Sequence, residues 1–223
     1  MEDNKLIGLY GGAFDPIHKA HISIAKNCIK LIGLKKVIFI PTGNSPHNKI
    51  LGAPHHRLEM LNIVCNESNF EFSDFEINEH LNQKKISYTI NTLKYFKKKT
   101  GSTLFFIIGT DAFSTINSWY KWNEILSYCH LVLIKRSGIK SDINTMPVEV
   151  KKIFKDNITN NINELKENNY GLIYPIPMPM YEESSSEIRD RSMKNLDIND
   201  FLPSTIQDYI NHNGLYKLPG HIK

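Results

Sequence analysis

Short unbroken runs of apolar residues alternate along this chain with stretches in which apolar residues recur every three or four positions. Leu6-Ile7-Gly8-Leu9-Tyr10 is the first run, and its end at Gly11-Gly12 predicts a buried strand followed by a tight turn. Ala20, Ile24, Cys28 and Leu31 then recur at helical spacing, with Gly33 where a helix C-cap belongs. Val37-Ile38-Phe39-Ile40 is a second run, stopped by Pro41, so residues 6–40 predict a βαβ unit with a parallel pair of strands.

The alternation continues. It predicts a helix over Arg57 to Cys65, a strand near Phe70 to Phe75, a helix from Tyr88 to Lys98 ending at Gly101, and a strand over Leu104 to Ile108. A helix around Trp122 to Tyr128 and a strand over His130 to Ile134 follow. From Ser137 to Asn169 the pattern weakens among Asn157, Asn160, Asn161, Asn163, Asn168 and Asn169, which suits a polar excursion with one helix near Val148 to Phe154. Leu172-Ile173-Tyr174 reads as the last strand, and Ser185 to Lys194 and Ile206 to Asn211 as helices, the second closed by Gly214. Strands alternating with helices predict an α/β fold: a Rossmann-like doubly wound parallel sheet with a small C-terminal helical part.

Composition narrows the function. A length of 223 residues suits one domain over 1–223 and can bury a core without disulfide or metal staples. The net charge of +4 is mild for this size, which argues against a protein that coats nucleic acid and suits an anionic small molecule. Cys28, Cys65 and Cys129 are odd in number, widely spaced and set among apolar residues, so they predict a reducing compartment. Met1-Glu2-Asp3-Asn4-Lys5 lacks the order of a signal peptide and no run approaches a membrane span; a cytoplasmic or nuclear protein with no membrane partner is expected.

The strongest chemical signal is Gly11-Gly12-Ala13-Phe14-Asp15-Pro16-Ile17-His18-Lys19-Ala20-His21, between the first strand and the first helix. Two glycines allow close backbone approach, and free amides at a helix N-terminus favour a phosphate. His18 and His21, spaced i, i+3, fall on one helix face, where both imidazoles reach one anion. An isolated pair of this kind is more often two exposed histidines beside a turn, and zinc would need a third ligand that the sequence does not single out.

This stretch resembles the nucleotidylyltransferase superfamily, and its fuller form GG-x-FDP-x-H-x-x-H resembles the bacterial-type nicotinate mononucleotide adenylyltransferases, with Ala20 where the superfamily has Gly. The resemblance recurs in order. Pro41-Thr42-Gly43-Asn44-Ser45-Pro46-His47 is similar to the family's loop after the second strand, with Asn48 and then Lys49 following. Ser87-Tyr88-Thr89 matches the SYT that opens a family helix, and Phe106-Ile107-Ile108-Gly109-Thr110-Asp111 resembles the FIIG-x-D that ends the central strand. Trp119-Tyr120-Lys121-Trp122 is similar to the segment whose first tryptophan stacks on the pyridine ring, Trp122 being expected in the core. Ser184-Ser185-Ser186-Glu187-Ile188-Arg189 resembles the signature ISST-x-IR, and Asn213-Gly214-Leu215-Tyr216 the family's C-terminus.

The resemblance implies a set of roles. Gly11, Gly12, Ala13, Phe14, His18, His21, Gly109, Asp111, Ser184, Ser185, Ser186, Ile188 and Arg189 would bind ATP, with His18, His21 and Arg189 carrying the chemistry. Thr42, Gly43, Asn44, Lys49, Tyr88, Thr89, Trp119, Tyr120 and Arg136 would bind the mononucleotide. Asp111 would accept from a ribose hydroxyl, although an Asp there also suits a helix N-cap. Arg189 would fork onto phosphate oxygens, and Arg136 follows a strand where open parallel sheets bind ligands.

The implied reaction moves AMP from ATP, a substrate, to nicotinic acid mononucleotide in NAD biosynthesis, with Mg²⁺ held mainly through substrate phosphates and no metal site of protein ligands. Small molecules are then the expected partners, not nucleic acid, and a homo-oligomer is compatible with them. Two rivals stand beside this reading: another small-molecule adenylyltransferase acting on pantetheine phosphate, and a catalytically silent nucleotide-binding regulator. A redox dehydrogenase is excluded by the lack of G-x-G-x-x-G spacing at Gly11-Gly12.

Overall fold

The computed structural model describes residues 6–46, 51–68, 70–135, 145–181 and 183–217. Six strands form one sheet: β1 (Leu6–Gly12), β2 (Lys36–Pro41), β3 (Glu71–Phe72), β4 (Thr103–Gly109), β5 (His130–Ile134) and β6 (Ile173–Pro175). Their order is β3-β2-β1-β4-β5-β6 and every neighbouring pair is parallel. The expected doubly wound α/β sheet is thus present, and its order reverses between β1 and β4, where the carboxyl ends of the strands open a crevice.

Both faces of the sheet are covered, which is why its strands read as unbroken apolar runs. In β4 the residues alternate by face: Phe105 and Ile107 join one core with Phe14, Val37 and Phe39, whereas Leu104, Phe106 and Ile108 join the other with Ile7, Leu9 and Ile40. The first core is closed by α1 (Lys19–Cys28), α2 (Pro54–Glu67) and the C-terminal helices α8 (Ser185–Met193) and α9 (Ser204–His212). The second is closed by α4 (Thr89–Thr100), the single turn α5 (Thr110–Phe113) and α6 (Val148–Asn157). Sequence punctuation acts where expected at the helix ends: α4 stops at Gly101 (φ +64°) after Lys97, Lys98 and Lys99, and the chain turns back after α9 at Gly214 (φ +61°).

Four expectations need correction. Residues 70–75 supply only the two-residue β3, because Phe75 opens a helix, α3 (Phe75–Gln83), in which Ile77 alone is fully buried. Trp122–Ser127 is a 3₁₀ segment rather than an α-helix. The 137–169 excursion holds a second helix, α7 (Ile162–Glu167), started by the Asn161 side chain accepting from the Asn163 amide at 3.0 Å. Gly11 and Gly12 make no turn: they are the last residues of β1, and the left-handed residue is Phe14 (φ +49°), wholly buried.

Candidate active site

A cleft of about 850 Å³ opens at the carboxyl ends of β1 and β4. Its lining includes Gly11, Gly12, Ala13, Phe14 and His21 from the β1–α1 segment, Gly109 at the end of β4 and Asp111 just after it, and Ser184, Ser185 and Ser186 at the start of α8. Thr42, Tyr88, Thr89, Trp119 and Tyr120 complete it. Residues separated by more than a hundred positions in sequence thus share one volume.

The phosphate-binding candidates are built tightly. His18 is the N-cap of α1 and His21 its third residue; the His18 amide donates to His21 Nδ1 at 3.3 Å, and the two rings stack with centroids 3.7 Å apart. An accepting Nδ1 leaves Nε2 as the protonated nitrogen of a neutral His21, a donor for an anion. Of the two imidazoles expected to reach one anion, His18 is 0% exposed and stacked on His21, which alone of the two lines the cleft.

At α8 the three serines divide their tasks. Ser184 caps the helix, accepting from the Glu187 amide at 3.2 Å. Ser185 Oγ donates to the Pro16 carbonyl at 2.9 Å, which fastens α8 to the β1–α1 segment. Ser186 is exposed, 3.4 Å from Arg189 Nη2. Arg189 Nη1 donates to the Asp15 carbonyl at 2.7 Å, so the guanidinium stands beside the cleft rather than in its lining. The side chain of Ile188 belongs to the core.

The other wall is aromatic. Tyr88 is the N-cap of α4, with its ring 4.7 Å from that of Tyr120, centroid to centroid. Trp119 is half-buried against the second core and still faces the cleft; Trp122 packs on that core and does not. Gly43 and Asn44 are held behind the lining: both amides donate to Ser87 Oγ, at 3.2 and 3.1 Å, and the Ser87 amide donates to the Asn44 carbonyl at 2.9 Å. Thr42 Oγ1 is turned to the Gly12 carbonyl at 3.2 Å. Asp111 sits in the first turn of α5, whose N-cap is Gly109, so the capping alternative does not apply. Lys49 and Arg136 lie outside the described residues.

Three charged residues to which no site role was assigned from the sequence hold this cleft. Arg57, 1% exposed, donates from Nε to Gly52 O (3.1 Å) and from Nη1 to Ala13 O (3.0 Å) and Thr42 O (2.9 Å), joining the segments after β1 and β2 to the start of α2. Burial pulls its pKa down, and the nearby charge of Asp15 opposes that. Asp15, 2% exposed, accepts from the Gly52 amide at 2.9 Å and the Tyr216 hydroxyl at 2.8 Å. Glu76 accepts from Thr92 Oγ1 at 2.6 Å; burial raises its carboxyl above the usual carboxylate range, against hydrogen bonds from Thr92, Ser87 and Gly43 that favour the ion. A Cβ on Gly43 would lie 2.0 Å from the Glu76 carbonyl, so only glycine fits there. The signal for Asp15 was its place inside the FDP motif; nothing in the sequence marked Arg57 or Glu76.

A parallel sheet with a phosphate-suited strand-to-helix segment, a capped helix start and an aromatic wall around its switch point defines a nucleotide-handling α/β enzyme. Residues 9–191 match the cytidylyltransferase-like family model. A curated relative from Wigglesworthia glossinidia brevipalpis, a probable nicotinate-nucleotide adenylyltransferase, is 36% identical over 97% of this chain and 100% of its own length. One of the same description from Clostridium botulinum is 35% identical over 94% and 98%. The solved Plasmodium falciparum nicotinic acid mononucleotide adenylyltransferase in complex with NaAD superposes with a TM-score of 0.71 at 25% identity, over 95% of this chain and 97% of that one. The chain belongs to the cytidylyltransferase-like nucleotidyltransferases and, among them, to the nicotinate-nucleotide adenylyltransferase family.

Proposed function

We propose that residues 1–223 act as one nucleotidylyltransferase domain that transfers AMP from ATP to nicotinic acid mononucleotide, forming nicotinic acid adenine dinucleotide and pyrophosphate in NAD biosynthesis. The observation that carries this reading is the shared cleft: His21 and the start of α8 suit a polyphosphate, and the Tyr88, Trp119 and Tyr120 rings suit a flat heterocycle within the same volume.

In the reaction an oxygen of the mononucleotide phosphate attacks the α-phosphorus of ATP. The bond from that phosphorus to the oxygen bridging to the β-phosphate breaks, and the oxygen leaves with pyrophosphate. The attacking phosphate is already ionised, so the protein supplies no general base. Its contribution is positioning and stabilisation of developing charge. His21, through Nε2–H, donates to the ATP phosphates; His18 supports it from behind; Arg189 and the amides at the start of α8 receive the departing pyrophosphate. Asp111 accepts from a ribose hydroxyl. Trp119 stacks on the pyridine ring, with Thr89 and Tyr120 beside it, and Lys49 and Arg136 bind the mononucleotide.

Mg²⁺, held through the ATP phosphates, would supply neutralisation of their charge. Among the described residues no group of three His, Cys, Asp or Glu side chains gathers to ligate a metal, and the carboxylates of Asp15 and Glu76 accept hydrogen bonds from protein donors. Three free thiols support a cytoplasmic location, and burial pushes that of Cys28 up to about 12, which keeps it unreactive. Among the described residues no helix is long and apolar enough to cross a membrane.

The test is pyrophosphate release with ATP and a panel of phosphorylated acceptors. Release with nicotinic acid mononucleotide and not with phosphopantetheine is expected. Release with phosphopantetheine alone overturns the acceptor, and ATP binding without release to any acceptor overturns the enzyme in favour of a silent binder.

A further inference from the structure

Asn213-Gly214-Leu215-Tyr216 carries no step of the reaction, yet it reaches Asp15, which directly follows the cleft-lining residues Ala13 and Phe14. After α9 the Leu215 amide bonds to the Ile210 carbonyl at 3.0 Å, and two left-handed residues, Gly214 (φ +61°) and Tyr216 (φ +59°), swing the chain back. A non-glycine residue in that conformation persists only when its surroundings hold it. What holds it is the hydroxyl of Tyr216, which donates to Asp15 Oδ1 at 2.8 Å across 201 positions of sequence. Burial, and then the charge of Asp15, raises the Tyr216 pKa, so the hydroxyl stays a donor at neutral pH.

Asp15 is the joint of four segments. Its Oδ1 takes Tyr216, its Oδ2 takes the Gly52 amide at 2.9 Å, and its carbonyl takes Arg189 Nη1 at 2.7 Å, with Oδ2 a further 4.0 Å from that nitrogen. A Cβ at Gly52 would lie 2.5 Å from Oδ1, so any side chain at that position would displace the carboxylate. Both carboxylate oxygens are pinned, and the carbonyl of the same residue receives one arm of the guanidinium, so the Tyr216 bond restrains the residue on which Arg189 leans. The other arm of Arg189 points toward Ser186, in the cleft lining. An arginine held by one arm presents the rest of its fork without losing much freedom on binding.

We propose that Tyr216 is a positioning residue: through Asp15 it aims Arg189 at the pyrophosphate leaving group, so that the C-terminal turn is a working part of the phosphate site. This rests on the adenylyltransferase reading and on the role given there to Arg189.

The experiment compares wild type, Tyr216→Phe, Arg189→Ala and the double variant of the full chain, in the forward direction and in the reverse direction with dinucleotide and pyrophosphate. Tyr216→Phe should lower forward kcat and raise the reverse KM for pyrophosphate, each by roughly tenfold, while the KM for the mononucleotide moves less than about twofold. In the Arg189→Ala background the same change should add less than about twofold, because the two residues act in series. Asp15→Asn should reproduce the split from the other end of the bond. A pyrophosphate KM unchanged in Tyr216→Phe, or an equal effect with and without Arg189, overturns the proposal, whether or not the melting temperature falls. If the wild type releases no pyrophosphate, the adenylyltransferase reading itself fails; if wild type and Arg189→Ala behave as that reading requires and Tyr216→Phe is silent, only the role of Tyr216 fails.

Discussion

The two walls of the cleft are built on different physical terms. The wall proposed for the phosphates is nearly dry and tied by charge: Asp15, His18 and Arg57 are each 2% exposed or less, and hydrogen bonds from Arg57, Arg189, Ser185 and Tyr216 sew five segments of the chain together there. The wall proposed for the mononucleotide is half open and tied by neutral groups: Tyr88, Thr89 and Trp119 are half-buried, Tyr120 is 50% exposed, and Ser87 links two segments with Glu76 behind it. The difference follows the ligands. A polyphosphate needs fixed dipoles and cations whose reorganisation is complete before the reaction, whereas a flat ring is recognised by surface that can close on it.

The contrast can be broken most severely at Arg57. Arg57→Met keeps the apolar bulk and leaves the carbonyls of Gly52, Ala13 and Thr42 and the carboxylate of Asp15 without their cation. A loss of about 3–5 kcal/mol is expected, as for removal of one partner of a buried charge pair. Denaturant unfolding reads it; a loss under about 1 kcal/mol would show that water satisfies those groups.

The histidines sharpen the comparison within the phosphate wall. His21→Ala should lower kcat by about 10²-fold with the melting temperature kept, because the ring lines the cleft and transition-state charge loses a donor. His18→Ala should lower both, since it also empties a wholly buried position. Equal melting temperatures for the two variants would reject the arrangement in which one ring backs the other.

On the aromatic wall the effects should fall on binding. Trp119→Ala should raise the KM for the mononucleotide by the equivalent of about 1–3 kcal/mol of stacking while the KM for ATP holds. Preference for the acid over the amide mononucleotide should be about 5- to 150-fold in kcat/KM, since an amide NH₂ facing backbone donors leaves both unpaired. Equal kcat/KM values would reject the acid preference and leave AMP transfer intact.

The smallest effect is one of pH. Burial raises the Glu76 carboxyl above its ordinary value of 4.5, so the folded protein keeps this proton where the unfolded chain has lost it. Stability from this group is complete below pH 4.5 and is lost as pH rises through the folded value. The melting temperature of wild type relative to Glu76→Gln should therefore fall as pH is raised from about 4.5 to about 8. A difference that does not change with pH would mean that the hydrogen bonds from Thr92, Ser87 and Gly43 outweigh desolvation.

Much of this molecule was legible in its order of residues, for local reasons. Leu104 to Ile108 is apolar on both faces of one strand, Gly101 and Gly214 supply the left-handed residues that stop or turn the chain, and the histidine pair falls where a strand gives way to a helix. Each of these signals is carried within a few residues. The failures are of another kind. α3 buries one residue fully, too few to mark a helical face, and Trp122–Ser127 winds as 3₁₀ helix between α5 and β5, where its periodicity alone suited an α-helix. That Asp15 and Arg57 would be buried, that Ser185 would bind a carbonyl 169 positions away and that Tyr216 would return to Asp15 could not be read from local pattern. A charged side chain is written the same way whether it ends in water or in a core, and only the tertiary structure, by bringing partners from distant segments within hydrogen-bond reach, decides which.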